Sequence, residues 1–250
     1  MFKNLILASL AVSSILSLAQ ASDPGFRVPS RFFEPKALLF EKAPTEDQLT
    51  AHIKKMAVGR SQKLINNRML AREILHTCAC FNIDPYIFTA LIHTESSFNN
   101  NATSATGAVG FTQFTNIGLT EVHDQLGERG KTGAILSTIK FWKNIFNTCV
   151  DPEWMPLWKR TLHLPEEERK AYQKKILKTD PVLSLAYGTL LLKLYWGRQS
   201  QLWEERTDKT PEDVFFRALA RYNGEPDGRA DLYAKKVLDR AKKFYKSFND

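Results

Sequence analysis

Apolar residues along this chain recur at three- and four-residue intervals, and no stretch of five or more residues alternates convincingly. Leu49, Ile53 and Met56 follow Thr45-Glu46-Asp47 at helical spacing, and Leu64, Leu70, Ile74 and Leu75 mark a second helix over about 61–79. Asp84-Pro85 supplies a capping side chain and a proline at the first helical position, opening a helix through Leu91 and Ile92 to Glu95. Further helical patterns cover about 116–126, 132–147, 181–197, 211–221 and 228–247, with a charged helix-like run from Glu166 to Lys178. Tyr222-Asn223-Gly224 holds the one Asn-Gly pair, and no internal repeat is present. The pattern predicts an all-α protein.

The two N-terminal segments read differently. Lys3 precedes an apolar run from Leu5 through Leu18, and Ala19-Gln20-Ala21 places small residues at the −3 and −1 positions of a cleavage site. A basic start, an apolar stretch and A-x-A predict a secretory signal peptide over 1–21. The alternative, an uncleaved anchor, is disfavoured by a short run diluted with serines. No Cys stands at the cleavage point to carry a lipid, and no later segment is apolar enough to span a membrane. The mature protein is expected in the periplasm or outside the cell. Residues 22–60 then form an N-terminal extension, rich at first in proline (Pro24, Pro29, Pro35, Pro44), ahead of a domain over 61–250.

Composition narrows the class. A chain of 250 residues, 43% hydrophobic and with 12 Gly, is neither disordered nor collagen-like and can bury a real core. Thirty-five Lys+Arg against 27 Asp+Glu give a net charge of +8, which suits a polyanionic partner or surface. The lysines show no nucleic-acid recognition motif, so no nucleic-acid partner is expected. Of three cysteines, Cys78 and Cys80 are too close to pair comfortably with each other on a helix. One bridge from Cys149 to either of them would leave one thiol over. The five His are scattered without H-E-x-x-H, so neither metal nor cofactor is expected.

One segment departs from generic helix-bundle character. Glu95 closes an apolar helix and is followed by a polar, turn-rich loop holding Ser104, Gly107 and Gly110. Desolvation beside such a loop would raise a carboxyl pKa, as a neutral general acid requires. A glutamate frayed into solvent explains the position equally well on physics alone. Helix C-termini nevertheless disfavour Glu, because the negative end of the dipole repels it.

The string Glu95-Ser96-x-Phe98-x-x-x-Ala102-x-Ser104-x-x-Gly107-Ala108-x-Gly110-x-x-Gln113 resembles the signature of the soluble lytic transglycosylases. That family has a lysozyme-like fold related to goose-type lysozymes. Asp180-Pro181, with Gly188 and Leu190-Leu191-Leu192, is similar to its middle helix. Ala220-Arg221-Tyr222-Asn223-Gly224, followed by Tyr233-Ala234-Lys235-Lys236-Val237-Leu238, is similar to its Ala-x-Tyr-Asn block and closing helix. The resemblance implies cleavage of peptidoglycan strands at the β-1,4 bond between N-acetylmuramic acid and N-acetylglucosamine, and a monomer is expected. It implies Glu95 as the single catalytic residue, donating to the glycosidic oxygen and then accepting the C6 hydroxyl proton as a 1,6-anhydro ring closes. It further implies substrate contacts from Ser104, Gln113, Tyr222 and Asn223, with Gly107 and Gly110 letting a sugar approach the backbone. By the same match, the Tyr222 hydroxyl sits by the catalytic carboxylate. Singly, Ser104 and Asn223 read as helix caps and Tyr222 as core.

Two departures from the family pattern stand out. Where the family reads Leu-Met-Gln, then an apolar residue, Met and Pro, this chain has Phe111-Thr112-Gln113-Phe114-Thr115-Asn116. Thr115 is a candidate substrate contact, and the change raises the idea of selectivity for a modified, deacetylated glycan. The stretch between Gln113 and Asp180 is also long, an insertion over about 121–179 that carries Cys149, Trp154, Trp158 and many lysines. A surface excursion with its own small core is the favoured reading, over tryptophans on sugar faces and lysines on anionic wall polymers. Glu121, Asp124 or Asp151 could serve as a second carboxylate orienting water. The alternatives to a transglycosylase are therefore a hydrolysing lysozyme of the same fold and a non-catalytic wall-binding module.

Overall fold

The computed structural model describes residues 38–57, 66–126, 145–146, 150, 157–203, 209–224 and 228–249. The signal-peptide segment, the helix expected over 132–147 apart from residues 145–146, and Cys149, Asp151, Trp154 and the Trp158 side chain lie outside the described residues. Among the described residues there are nine helices and no strand beyond isolated bridges at Thr103, Val109 and Phe114. The helices are α1 (Glu46–Met56), α2 (Asn67–Phe81), α3 (Pro85–Ser96), α4 (Asn116–Gln125), α5 (Leu157–Arg160), α6 (Glu166–Thr179), α7 (Pro181–Trp203), α8 (Pro211–Asn223) and α9 (Gly228–Asn249).

Caps set several of the boundaries. Thr45 and Gln48 form a capping box at α1, and Thr210 and Asp213 do the same at α8, each satisfying two otherwise orphaned groups. α2 starts later than the apolar pattern predicts, because the Asn66 side chain accepts from the Met69 N–H and fixes the first turn there. α7 runs six residues past its expected end, and every residue from 183 to 197 is buried. A helix with no polar face belongs in the interior, and Leu185, Ala186, Tyr187, Leu190 and Leu192 are all fully buried.

α7 is the axis of the molecule: α2, α4, α6 and α8 pack on it, while α9 packs against α3 and α8. α1 seals one side of α2 with Leu49 and Ile53, so this part of the expected extension contributes to the common core. Asp84 joins two levels of this organisation. Its buried carboxylate caps α3 through the Tyr86 and Ile87 N–H groups and also accepts from Leu39 and Phe40, tying the preceding segment down. Phe40 then stacks on Tyr245 of α9 at 4.6 Å.

Cys78 is a free, buried thiol whose pKa is raised by desolvation, and Cys80 is disulfide-bonded. One bridge with one thiol left over is therefore what the described cysteines show. No helix among the described residues is long and apolar enough to cross a membrane.

Candidate active site

α3 carries Glu95 in its last turn, behind a body of buried residues from Tyr86 to Ile92. The helix stops because Ser97 and Phe98 both adopt left-handed backbone (φ 50° and 64°). For a bulky residue such as Phe98 that conformation is costly, and burial of its ring, stacked on His93 at 5.5 Å, offsets the cost. The reversal sends the chain back over the helix end as the loop 99–115.

Three elements enclose the Glu95 carboxyl. From α9, the Tyr233 hydroxyl donates to Glu95 Oε1. One turn further along α9, the Lys236 ammonium acts on it electrostatically, and Arg240 donates to Thr94 Oγ1 at 2.9 Å. From α8, Tyr222 lies close enough to feel the Glu95 charge. Burial dominates: it raises the Glu95 pKa to about 7, against the opposing pull of the Tyr233 hydrogen bond and of Lys236. Burial also holds His93, the nearest imidazole on α3, down at about 4, with Arg240 and Lys236 adding to the effect. Near neutral pH the site therefore offers a carboxyl that can hold a proton, with an uncharged imidazole two residues away on the same helix.

The loop beyond Glu95 is stapled to itself. Ser104 Oγ accepts from the Ala108 N–H at 3.0 Å and pairs with Thr106, while the Ser104 carbonyl accepts from the Gly107 N–H. The Gln113 amide donates to the Ala102 and Gly110 carbonyls at 3.3 and 3.0 Å, leaving its oxygen as the acceptor. Gly110 has φ +78° and faces inward; an added Cβ would stand 3.2 Å from the Leu177 carbonyl oxygen. On the other side, the Tyr222 hydroxyl donates to the Thr112 carbonyl at 3.0 Å.

Next to this loop an open groove of about 200 Å³ is lined by Gln113, Thr115, Ile117, Glu121, Tyr195, Arg221, Tyr222 and Asn223, with other residues. Of the residues singled out from the sequence, Gln113, Thr115, Tyr222 and Asn223 thus share one groove wall, and Tyr222 links it to Glu95. Ser104, Gly107 and Gly110 do not line it and are engaged in holding the loop. Tyr222 sits by Glu95 but gives its hydrogen bond to Thr112.

The two threonines also part company. Thr112 is fully buried, its methyl packed where Gly188 leaves no room for a Cβ (2.4 Å), so it faces no sugar. Thr115 is exposed at the groove and caps α4. Glu121 lines the groove too, within 3.9 Å of Arg221 and 4.0 Å of Arg198. Asp124 is buried.

Sequence reasoning gave Tyr233 no role at the site, although the closing-helix block contains it. Its signal was positional: Ala230, Ala234, Val237, Leu238 and Ala241 form the buried stripe of α9, and Tyr233 borders that stripe. No group of three or more His, Cys, Asp or Glu is placed to hold a metal among the described residues.

Residues 75–132, which include Glu95, the loop and α4, match the family model of the transglycosylase SLT domain. No curated protein and no solved structure gives a significant match. The match spans residues 75–132 of the 250, and with the helical architecture it supports an all-α, lysozyme-like fold and, at family level, a lytic-transglycosylase type of peptidoglycan-directed activity.

Proposed function

We propose that this protein cleaves peptidoglycan strands as a lytic transglycosylase, with Glu95 as the single group that gives and takes the proton. The observation that carries this reading is the enclosed Glu95 carboxyl, held near pKa 7 by burial and oriented by Tyr233. A group balanced at that pKa can donate to a leaving glycosidic oxygen and, once ionised, accept a proton in the next step. Donation breaks the β-1,4 bond at C1 of the muramyl ring, whose own N-acetyl group meets the developing charge. The C6 hydroxyl then attacks C1, its proton passes to Glu95, and a 1,6-anhydro ring closes without consuming water. The glycan lies in the groove, with Gln113 and Asn223 offering polar contacts and Thr115 lying along its edge. Ser104, Gly107 and Gly110 support the substrate indirectly, by fixing the loop.

A hydrolysing lysozyme is the second reading, because Glu121 puts another carboxylate on the wall that holds Tyr222. Residues 1–21 would direct the chain through export, and 61–250 would form the catalytic domain behind the extension 22–60, acting as a monomer in the periplasm or outside the cell.

Mass spectrometry of muropeptides released by the mature protein, with Glu95→Gln as control, tests the proposal. Ends bearing 1,6-anhydromuramic acid, lost in the variant, are expected. Reducing ends would establish hydrolysis instead. Cleavage confined to deacetylated wall would move attention to Thr115. Binding without cleavage would make the protein a wall-binding module.

A further inference from the structure

The longest stretch of the chain that the family pattern does not anticipate includes α6, and α6 grips the loop beside Glu95. Lys174 Nζ donates to the Gly107 carbonyl at 3.1 Å, at the loop tip. One turn later, Lys178 Nζ donates to Thr103 Oγ1 at 3.0 Å. Between them, the Leu177 backbone abuts Gly110 closely enough that a Cβ there would press on it. The grip is reciprocal: Asn100, fully buried, donates to the Lys178 carbonyl at 3.0 Å, one of the carbonyls a helix C-terminus leaves without an internal partner.

α6 is itself anchored. Leu177 is fully buried, and the buried Gln173 amide donates to Thr161 Oγ1 at 2.9 Å. These contacts reach the same backbone that positions the groove. Gly110 and Ala102 accept from the Gln113 amide, and the bridges from Thr103 to Val109 and from Val109 to Phe114 carry the hold along the loop.

We infer that Lys174 and Lys178 are positioning residues: α6 is a brace whose two ammonium groups fix the loop 100–110 and, through it, the Gln113 side of the substrate groove. On this reading the two lysines are committed within the fold and are not docking groups for anionic wall polymers. The inference rests on the proposed transglycosylase reading only where it concerns turnover; the hold on the loop stands apart from it.

The test compares Lys174→Met/Lys178→Met with Lys175→Met, which removes one cation from an exposed neighbouring position of the same helix. Amide hydrogen exchange of the full mature chain should speed up at least tenfold over residues 102–110 in the double variant, with exchange in α7 and α8 unchanged. On purified peptidoglycan, kcat should fall about tenfold with little change in KM, since misplacing a site by a fraction of an ångström slows chemistry without removing binding groups. Lys175→Met should change neither, and Lys174→Arg/Lys178→Arg should recover most of both.

Unchanged exchange in the double variant overturns the brace whatever the activity does. Faster exchange with unaltered kcat overturns the positioning role. A rise in KM alone, equal in Lys175→Met and strengthened at low salt, would show that these lysines meet the polymer instead. If the wild-type protein cuts no wall, the catalytic reading fails on its own, and exchange still decides whether the brace exists.

Discussion

At the scale of the residue, the proposed chemistry turns on one carboxyl and its neighbour. Burial raises Glu95 to about 7 while the Tyr233 hydrogen bond opposes that rise. A general acid must carry its proton, so kcat is expected to fall about tenfold per pH unit above about 7. Removing the hydroxyl in Tyr233→Phe takes away an interaction that favours the carboxylate. The alkaline limb of the pH–kcat profile should therefore move to higher pH, with a lower plateau because the acid is less well oriented. A limb that stayed in place or moved down would contradict the assignment.

The same shift has a stability consequence. The folded state holds the Glu95 proton to about pH 7, while the unfolded chain releases it near 4.5. The wild-type protein thus loses stability as pH rises between those values and stays penalised above them, by about 3 kcal/mol at most. Glu95→Gln, which keeps the shape without the charge, should match the wild type at pH 4 and exceed it at pH 8 in urea denaturation.

At the scale of the element, Lys193 shows how helices are joined at an electrostatic cost. Buried in α7, it donates to the Asn82 carbonyl, just beyond the end of α2, at 3.1 Å and lies 4.5 Å from the Trp196 ring centroid. Desolvation lowers its pKa from 10.5 to about 7. For a base whose folded pKa is depressed, the penalty is full below pH 7 and fades as pH rises towards 10.5, where the unfolded chain also loses its proton. The stability of Lys193→Met relative to the wild type should accordingly be constant below pH 7 and decline steadily from pH 7 to 10. A difference independent of pH across that range would mean that the lysine is not desolvated. Elsewhere close packing alone positions the elements, as where Gly188 lets Thr112 and the loop lie directly on α7.

At the scale of the whole molecule, the site exists because α3, α8 and α9 converge on one carboxyl while α4 and α8 form the groove beside it. Much of this was legible beforehand. Helix positions followed from spacing and from local caps such as Asp84-Pro85, because a helix is specified by residues within a few positions of one another. Glu95, Gln113 and Tyr222 stood out through their ordered motif; Tyr222 shares a groove with Gln113 and lies near enough to feel the Glu95 charge. Two things were not legible. Tyr233 meets Glu95 across 138 positions, and Lys174 meets Gly107 across 67. Spacing says nothing about which side chains two helices turn towards each other over such separations.

The sequence by itself determined the all-α class, most helix boundaries and the glutamate at the end of α3. Those properties depend on the 3.6-residue period, on capping side chains and on a turn-rich loop, all of which are local. Only the tertiary structure decided that the carboxyl is desolvated, that Tyr233 and not Tyr222 bonds to it, that Thr112 is core while Thr115 meets the groove, and that α6 holds the loop. Each of these depends on how much water packing removes from a side chain and on which distant backbone it leaves within hydrogen-bonding reach.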